Sequence, residues 1–168
     1  MTRILIIILA TIFASVNSES APFSSPLPSG PKLKISALID KELVHPGESF
    51  KLYLSVHIEE GWHIYSLQPL DGNEMLATQI NIDGNVFGKA EQWEESPTSL
   101  IQDDAQAKIV KGHTDTAEFQ KTFYAPEDIN PGSYSIKGTL LYRACDNKLC
   151  TLPQSLPFAS RVQVGKIK

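Results

Sequence analysis

Alternation between apolar and polar residues is the feature that most restricts what this chain can fold into. It is clearest from Phe50 to Ile58, where every second residue is apolar. Successive side chains of a β-strand point to opposite faces, so a period of two predicts a strand with one face in a core and the other toward solvent. No window long enough for a stable helix shows apolar residues at helical spacing.

Similar short segments recur along the chain, separated by turn sequences such as HPGE at 45–48 and NPGS at 130–133. The further predicted strands are Leu33–Ile39, His63–Leu67, Thr78–Ile82, Ala107–Val110, Ala117–Tyr124, Tyr134–Tyr142 and Arg161–Val164. About eight short strands with proline- and glycine-containing turns predict an all-β fold, and specifically a β-sandwich.

The first residues have the composition of a secretory signal. Arg3 supplies a positive charge, Ile4–Val16 is mostly apolar, and Ser18 is a small residue suited to cleavage. The apolar run is too short for a membrane span, and no later stretch approaches about eighteen continuous apolar residues. We therefore predict a signal peptide at 1–18, a flexible leader rich in proline and serine at 19–31, and one soluble exported domain at 32–168.

The charge of the chain limits its partners. The formal net charge is −4. A mildly acidic protein lacks the positive surface that attracts phosphate groups. Nucleic acid and anionic membranes are therefore not expected partners.

The only two cysteines, Cys145 and Cys150, follow the predicted strand Tyr134–Tyr142. A disulfide between them would close so small a loop that the chain-entropy estimate of its stabilisation is only about 2 kcal/mol. One interpretation is a structural clip that holds a tight turn in an oxidising compartment. The other is a reversible dithiol, because the short spacing places a resolving thiol beside an attacking one. Binding residues collect in loops at the end of a rigid sandwich, which favours a presented pair over a buried one.

Metal binding and hydrolysis are alternative uses of these residues. The histidines, His45, His57, His63 and His113, all lie far in sequence from the cysteines, and their spacing is unlike that of structural zinc sites. We expect no bound metal, although copper held by the cysteines and His63 is compatible with the sequence. No Cys-His hydrolase signature is present, and without a Cys-x-x-Cys motif the chain is not itself a thioredoxin.

Two patterns resemble the amino-terminal periplasmic domain of the DsbD thiol:disulfide interchange proteins. One is Tyr142-x-Ala144-Cys145 followed by Cys150-x-x-Pro153, and the other is GWHIYS at 61–66. The resemblance covers about residues 32–165. It implies an immunoglobulin-like β-sandwich with a short cysteine-bearing loop at one end.

The resemblance also implies roles for individual residues. Cys145 and Cys150 are expected to be the redox pair, with Cys150 forming mixed disulfides and Cys145 resolving them. His63 and Tyr65 are expected near the sulfurs on one strand face. There an imidazole can stabilise a thiolate or relay a proton near neutral pH, the alternative being a solvent-facing strand histidine. The best-known family member has one more residue between its cysteines, so its reduction potential does not transfer.

Members of this family cover their cysteines with a mobile cap loop that contains acidic residues and an aromatic residue. The corresponding region here is Glu94–Gly112, which is polar and acidic at its centre. It lacks an aromatic residue at the expected place, where Leu100, Ile109 or Val110 can substitute. An acidic run of this kind is more often a solvated loop.

These observations predict a periplasmic thiol-disulfide exchange protein, monomeric and without cofactor or metal. It would pass electrons through Cys145 and Cys150 between a thioredoxin-like donor and oxidised partner proteins. Complete DsbD proteins also contain a membrane domain and a thioredoxin-like domain, so a separate DsbD-type membrane electron donor is an expected partner. The alternative is a non-catalytic exported binding module whose short-loop disulfide is structural.

Overall fold

A computed structural model of the chain describes residues 30–89 and 92–166. The predicted signal peptide lies outside these residues, as does the predicted leader up to residue 29. The described part forms β-strands and one 3-10 turn at Glu74–Leu76. The strands are β1 Lys34–Ile39, β2 Ser49–His57, β3 His63–Tyr65, β4 Gln79–Ile82, β5 Gly88–Lys89, β6 Glu94–Glu95, β7 Ser99–Asp103, β8 Lys108–Thr114, β9 Thr116–Tyr124, β10 Gly132–Tyr142, β11 Ala144–Cys145 and β12 Gln154–Val164. No helix in this part of the chain has the length and apolar character needed to cross a membrane.

The strands form three antiparallel sheets. The first has the order β1-β2-β9-β5, with β6 also paired to β9. The second has the order β12-β10-β4, and the third β11-β3-β8-β7. A parallel bridge pairs Val164 of β12 with Val44, which lies in the connection between β1 and β2.

The core lies between the first two sheets and follows the alternation of their strands. Phe50, Leu52, Leu54 and Val56 of β2 are buried while the residues between them face outward. The inward residues of β9, β10 and β12 join the same apolar cluster. Burying each such side chain contributes about 2 kcal/mol, so this face determines the register of the strands. The predicted all-β, immunoglobulin-like β-sandwich is confirmed.

The structure differs from the predicted strands at several boundaries, and two of the differences are large. Strand β12 begins at Gln154, well before the predicted Arg161, although Pro157 lies inside it. Because β12 is an edge strand, a proline there does not break pairing on both sides. The region predicted as a cap loop, Glu94–Gly112, consists largely of β6, β7 and β8, and the β7–β8 pair forms a hairpin over residues 99–114, called the cap hairpin below.

Gly112 allows the cap hairpin to lie close to β3. It is opposite Tyr65 in the β3–β8 pairing. A Cβ atom at this position would lie 2.2 Å from the carbonyl oxygen of Ile64. Only glycine permits this approach, which brings the turn of the hairpin toward the cysteines.

Candidate functional site

Cys145 and Cys150 form a disulfide at the end of β11, with an S–S distance of 2.04 Å. The chain between them is a tight turn held by the Asp146 carboxylate. This carboxylate accepts hydrogen bonds from the backbone N–H groups of Leu149 and Lys148, each at 2.7 Å. The two bonds lower the pKa of Asp146 and hold the loop in one conformation.

The Tyr65 hydroxyl connects the disulfide to the cap hairpin. Its oxygen lies 2.8 Å from Sγ of Cys145 and 3.7 Å from Sγ of Cys150. The hydroxyl donates a 2.6 Å hydrogen bond to Oδ2 of Asp103. Burial raises the pKa of Tyr65, and the neighbouring Asp103 raises it further, so the phenol stays protonated at physiological pH.

Asp103 and His63 complete a buried polar group beside Cys145. Asp103, the last residue of β7, has no solvent exposure. Its Oδ2 lies 3.3 Å from Nε2 of His63, and its Oδ1 accepts a hydrogen bond from the backbone N–H of Gln106 at 2.9 Å. The His63 ring packs edge-on against Tyr65 at 5.6 Å. Each carboxylate oxygen therefore has a protein partner although no water reaches it.

The two sulfurs differ in accessibility. Cys145 is 0% exposed and packs in a small apolar cluster with Tyr65, Leu76 and Val110. Cys150 is only partly buried. Its sulfur accepts a hydrogen bond of 3.3 Å from Nε2 of Gln106, an exposed residue in the turn of the cap hairpin. A partner thiol can therefore approach Cys150 but not Cys145.

This arrangement corrects one interpretation of the sequence and excludes two alternatives. The cysteines are not both presented, because Cys145 is covered by Tyr65 and Leu76. His63 is 4% exposed, so it is not a solvent-facing strand histidine. Asp103 is buried rather than part of a solvated acidic loop, because the cap hairpin turns its side chain toward the disulfide.

Residues 36–160 match the family described as thiol:disulfide interchange protein DsbD, N-terminal. The chain belongs to this family. The residues matched to the DsbD N-terminal family include the disulfide, His63, Tyr65 and Asp103. No curated protein sequence matches the chain significantly.

Two solved structures that align with most of the chain share little sequence with it. The N-terminal periplasmic domain of ScsB from Proteus mirabilis is 19% identical, with a TM-score of 0.48 over 76% of this chain. This chain spans 45% of that one. A cohesin–dockerin complex, Coh-OlpA-Doc918 from Clostridium thermocellum, is 14% identical, with a TM-score of 0.39 over 77% of this chain and 98% of that one.

The structure brings together the four predicted site residues, Cys145, Cys150, His63 and Tyr65. It adds Asp103 and Gln106, which the sequence did not single out. The only signal for them was the acidic centre of the predicted cap region. That signal gave no indication that Asp103 points inward, since alternation in β7 is obscured by the exposed Leu100.

A second, partly buried polar group links the first and third sheets. The Glu95 carboxylate of β6 lies 3.0 Å from Nε2 of His113 and accepts hydrogen bonds from the Ser66 hydroxyl and, at 3.0 Å, from the backbone N–H of Leu67. Burial raises the pKa of Glu95, but these hydrogen bonds, led by that of His113, outweigh it and lower the pKa to about 2. Glu95 thus carries a negative charge that holds β6 against β8 and the end of β3.

Proposed function

We propose that this domain carries electrons by thiol-disulfide exchange. A thioredoxin-like dithiol donor reduces the Cys145–Cys150 disulfide, and the resulting dithiol reduces a disulfide in a partner protein. The observation that carries the proposal is the asymmetry of the pair: Cys150 is partly exposed, whereas the buried Cys145 lies against the Tyr65 hydroxyl. Membership of the DsbD N-terminal family supports it.

Loading of the domain takes two exchange steps. A donor thiolate attacks Sγ of Cys150, the Cys145–Cys150 bond breaks, and Cys145 leaves as a thiolate. The second donor thiol then attacks the donor sulfur of this mixed disulfide and releases Cys150. Two electrons have moved, the donor has become a disulfide, and Cys145 and Cys150 take up two protons.

Delivery to the partner runs in the opposite direction. The Cys150 thiolate attacks one sulfur of the partner disulfide and the other partner sulfur leaves as a thiolate. Cys145 then attacks Cys150, re-forms the internal disulfide and releases the second partner thiol. The short loop keeps Cys145 close to Cys150 during this resolving step.

The polar group beside Cys145 stabilises charge on that sulfur. The protonated Tyr65 hydroxyl is within hydrogen-bond distance of Cys145, so it can turn from Asp103 to donate to a leaving thiolate. Asp103 anchors the hydroxyl, and His63 packs against both. In this proposal His63 and Asp103 position Tyr65, while Tyr65 acts on the reacting sulfur.

The compartment and partners follow from the same reasoning. The signal-like first residues and the family both support export to the periplasm, where a monomer would meet oxidised proteins. The electron donor would be a thioredoxin-like domain supplied by a DsbD-type membrane protein. The thioredoxin-like domain would have to bring its reactive thiol to Cys150, which lies beside Gln106.

Trapping of mixed disulfides tests the proposal. Cys145→Ser leaves Cys150 without its resolving thiol, so it should accumulate a mixed disulfide with a thioredoxin-like domain bearing one cysteine. Cys150→Ser should trap little, because Cys145 is buried. Equal trapping by both variants, or none by either, contradicts the assignment of roles.

The midpoint potential separates this function from the structural alternative. A binding module with a static disulfide is favoured by one observation, the Asp146 hydrogen bonds that fix the short loop. A midpoint of about −150 to −260 mV indicates an exchange protein, whereas a value below about −300 mV indicates a structural bond. Equilibration of the protein in graded thiol buffers, followed by trapping of free thiols, measures it.

A further inference from the structure

The side chains around the disulfide include more metal-binding atoms than thiol exchange requires. A ligand atom from each of His63, Asp103 and Cys145 lies within 4.8 Å of the other two, and all three residues are buried. Cys150 adds a second sulfur once the disulfide is reduced. Together they offer two thiolates, one imidazole and one carboxylate.

This set suits zinc. Zn²⁺ takes four ligands in a tetrahedron, with bonds of about 2.3 Å to sulfur and about 2.0 to 2.2 Å to nitrogen and oxygen. Two such nitrogen and oxygen ligands lie about 3.3 Å apart by this geometry, and Nε2 of His63 is 3.3 Å from Oδ2 of Asp103. The carboxylate favours zinc over copper(I), which prefers a purely soft ligand set.

The Tyr65 hydroxyl occupies space that a bound cation would need. The Tyr65 hydroxyl oxygen lies 2.6 Å from Oδ2 of Asp103, 2.8 Å from Sγ of Cys145 and 3.7 Å from Sγ of Cys150. It therefore contacts three of the four residues that would bind the metal and crowds the space between them. Its hydrogen bond also occupies the carboxylate oxygen that faces His63.

We propose that reduced Cys145 and Cys150, with His63 and Asp103, form a zinc site, and that the Tyr65 hydroxyl keeps its affinity low. Binding releases the two thiol protons and changes no oxidation state. Removal of the hydroxyl opens the space for the cation and frees the Asp103 oxygen. The inference rests on the proposed function only in requiring that the disulfide can be reduced.

The test compares the wild-type protein with Tyr65→Phe, both fully reduced by a phosphine under anaerobic conditions. Affinity for Zn²⁺ is measured by competition with a chromophoric chelator, and Co²⁺ replaces zinc to report tetrahedral thiolate coordination by its absorption. Tyr65→Phe should bind one Zn²⁺ about tenfold or more tighter than the wild type. Loss of a hydrogen bond to sulfur would by itself make the thiols less acidic and weaken binding, so a gain in affinity points to the space and the freed carboxylate.

Two further variants in the Tyr65→Phe background identify the ligands. His63→Gln and Asp103→Asn keep buried hydrogen-bonding groups in place but remove good metal ligands. Each should lower zinc affinity about tenfold or more. Near-ultraviolet circular dichroism of the oxidised variants verifies that each one is folded.

Two outcomes overturn the inference. Equal affinity of the wild type and Tyr65→Phe shows that the hydroxyl does not restrict binding. Unchanged affinity in His63→Gln and Asp103→Asn shows that the thiols alone bind the ion. A phosphine reduces the cysteine pair whatever its potential, so the zinc assay does not depend on the proposed function. Zinc binding without mixed-disulfide trapping contradicts only the proposed function. Trapping without the expected zinc binding contradicts only the zinc site.

Discussion

The Tyr65 hydroxyl oxygen and the Cys145 sulfur lie 2.8 Å apart, in a position from which solvent is excluded. The hydroxyl also donates to Asp103, so it lies between a carboxylate and the sulfur that would become a thiol or thiolate on reduction. Tyr65 and Asp103 should therefore have opposite effects on the stability of a thiolate at Cys145. A hydroxyl donor stabilises a thiolate, and a carboxylate destabilises it.

Substitution of these neighbours should shift the thiol pKa of Cys145 in opposite directions. Tyr65→Phe removes the donor and should raise it, whereas Asp103→Asn removes the negative charge and should lower it. Ultraviolet thiolate absorbance against pH measures the change in a Cys150→Ser background, where Cys145 titrates alone. Shifts of the same sign in both variants would contradict this account.

The sequence predicts the sandwich because each core strand has one buried face and one face toward solvent. Phe50 and Leu52 are apolar and buried, whereas Lys51 between them is charged and only half-buried, so periodicity reveals them. The predicted last strand, Arg161–Val164, misses the first part of β12, which contains Pro157, and only the sheet order shows that an edge strand tolerates this proline. The family motifs identified the cysteines and Tyr65.

Asp103 could not be predicted in the same way. It is 38 residues from Tyr65 in sequence, and its contact depends on how closely the cap hairpin approaches β3. That approach is fixed by Gly112, a residue whose importance lies in the side chain it lacks. Tertiary contacts of this kind leave no periodic signal in the sequence.

Loss of the Gln106 side chain should make the disulfide easier to attack. Gln106 donates to Sγ of Cys150, the sulfur that a thiol can approach. Gln106→Ala should speed reduction by glutathione several-fold, while the midpoint potential changes by less than about 15 mV because the surroundings of Cys145 are retained. Gln102→Ala, an exposed change on the same hairpin, is the control. An unchanged reduction rate would show that Gln106 does not cover Cys150.

Gly112→Ala should destabilise the fold and displace the cap hairpin. The new Cβ would meet the Ile64 carbonyl oxygen, a backbone atom that cannot rotate away. We expect a loss of about 2 to 3 kcal/mol in the free energy of unfolding, measured with urea, and faster reduction of the disulfide. Gly84→Ala is the matched control, since nothing lies within 4 Å of its added Cβ. Similar stability of both variants would show that β3 and β8 can separate without cost.

The Glu95–His113 contact should make stability depend on pH in the acid range. The pKa of Glu95 falls from its ordinary value of 4.5 to about 2 in the folded protein. A lowered folded-state pKa stabilises the protein fully above the unfolded-state value, and this contribution is lost as pH falls from about 4.5 to about 2. The wild type should therefore lose on the order of 2 to 3 kcal/mol through this residue over that window.

Glu95→Gln keeps an acceptor for Ser66 and His113 but cannot take up a proton. Its free energy of unfolding should be lower than that of the wild type at pH 6 and should decline less steeply between pH 4.5 and 2, since the missing slope belongs to Glu95. Glu60→Gln, on the surface, should follow the wild-type curve. Parallel curves for Glu95→Gln and the wild type would contradict this account. They would mean that protonation of other carboxylates, and not of Glu95, causes the loss of stability in acid.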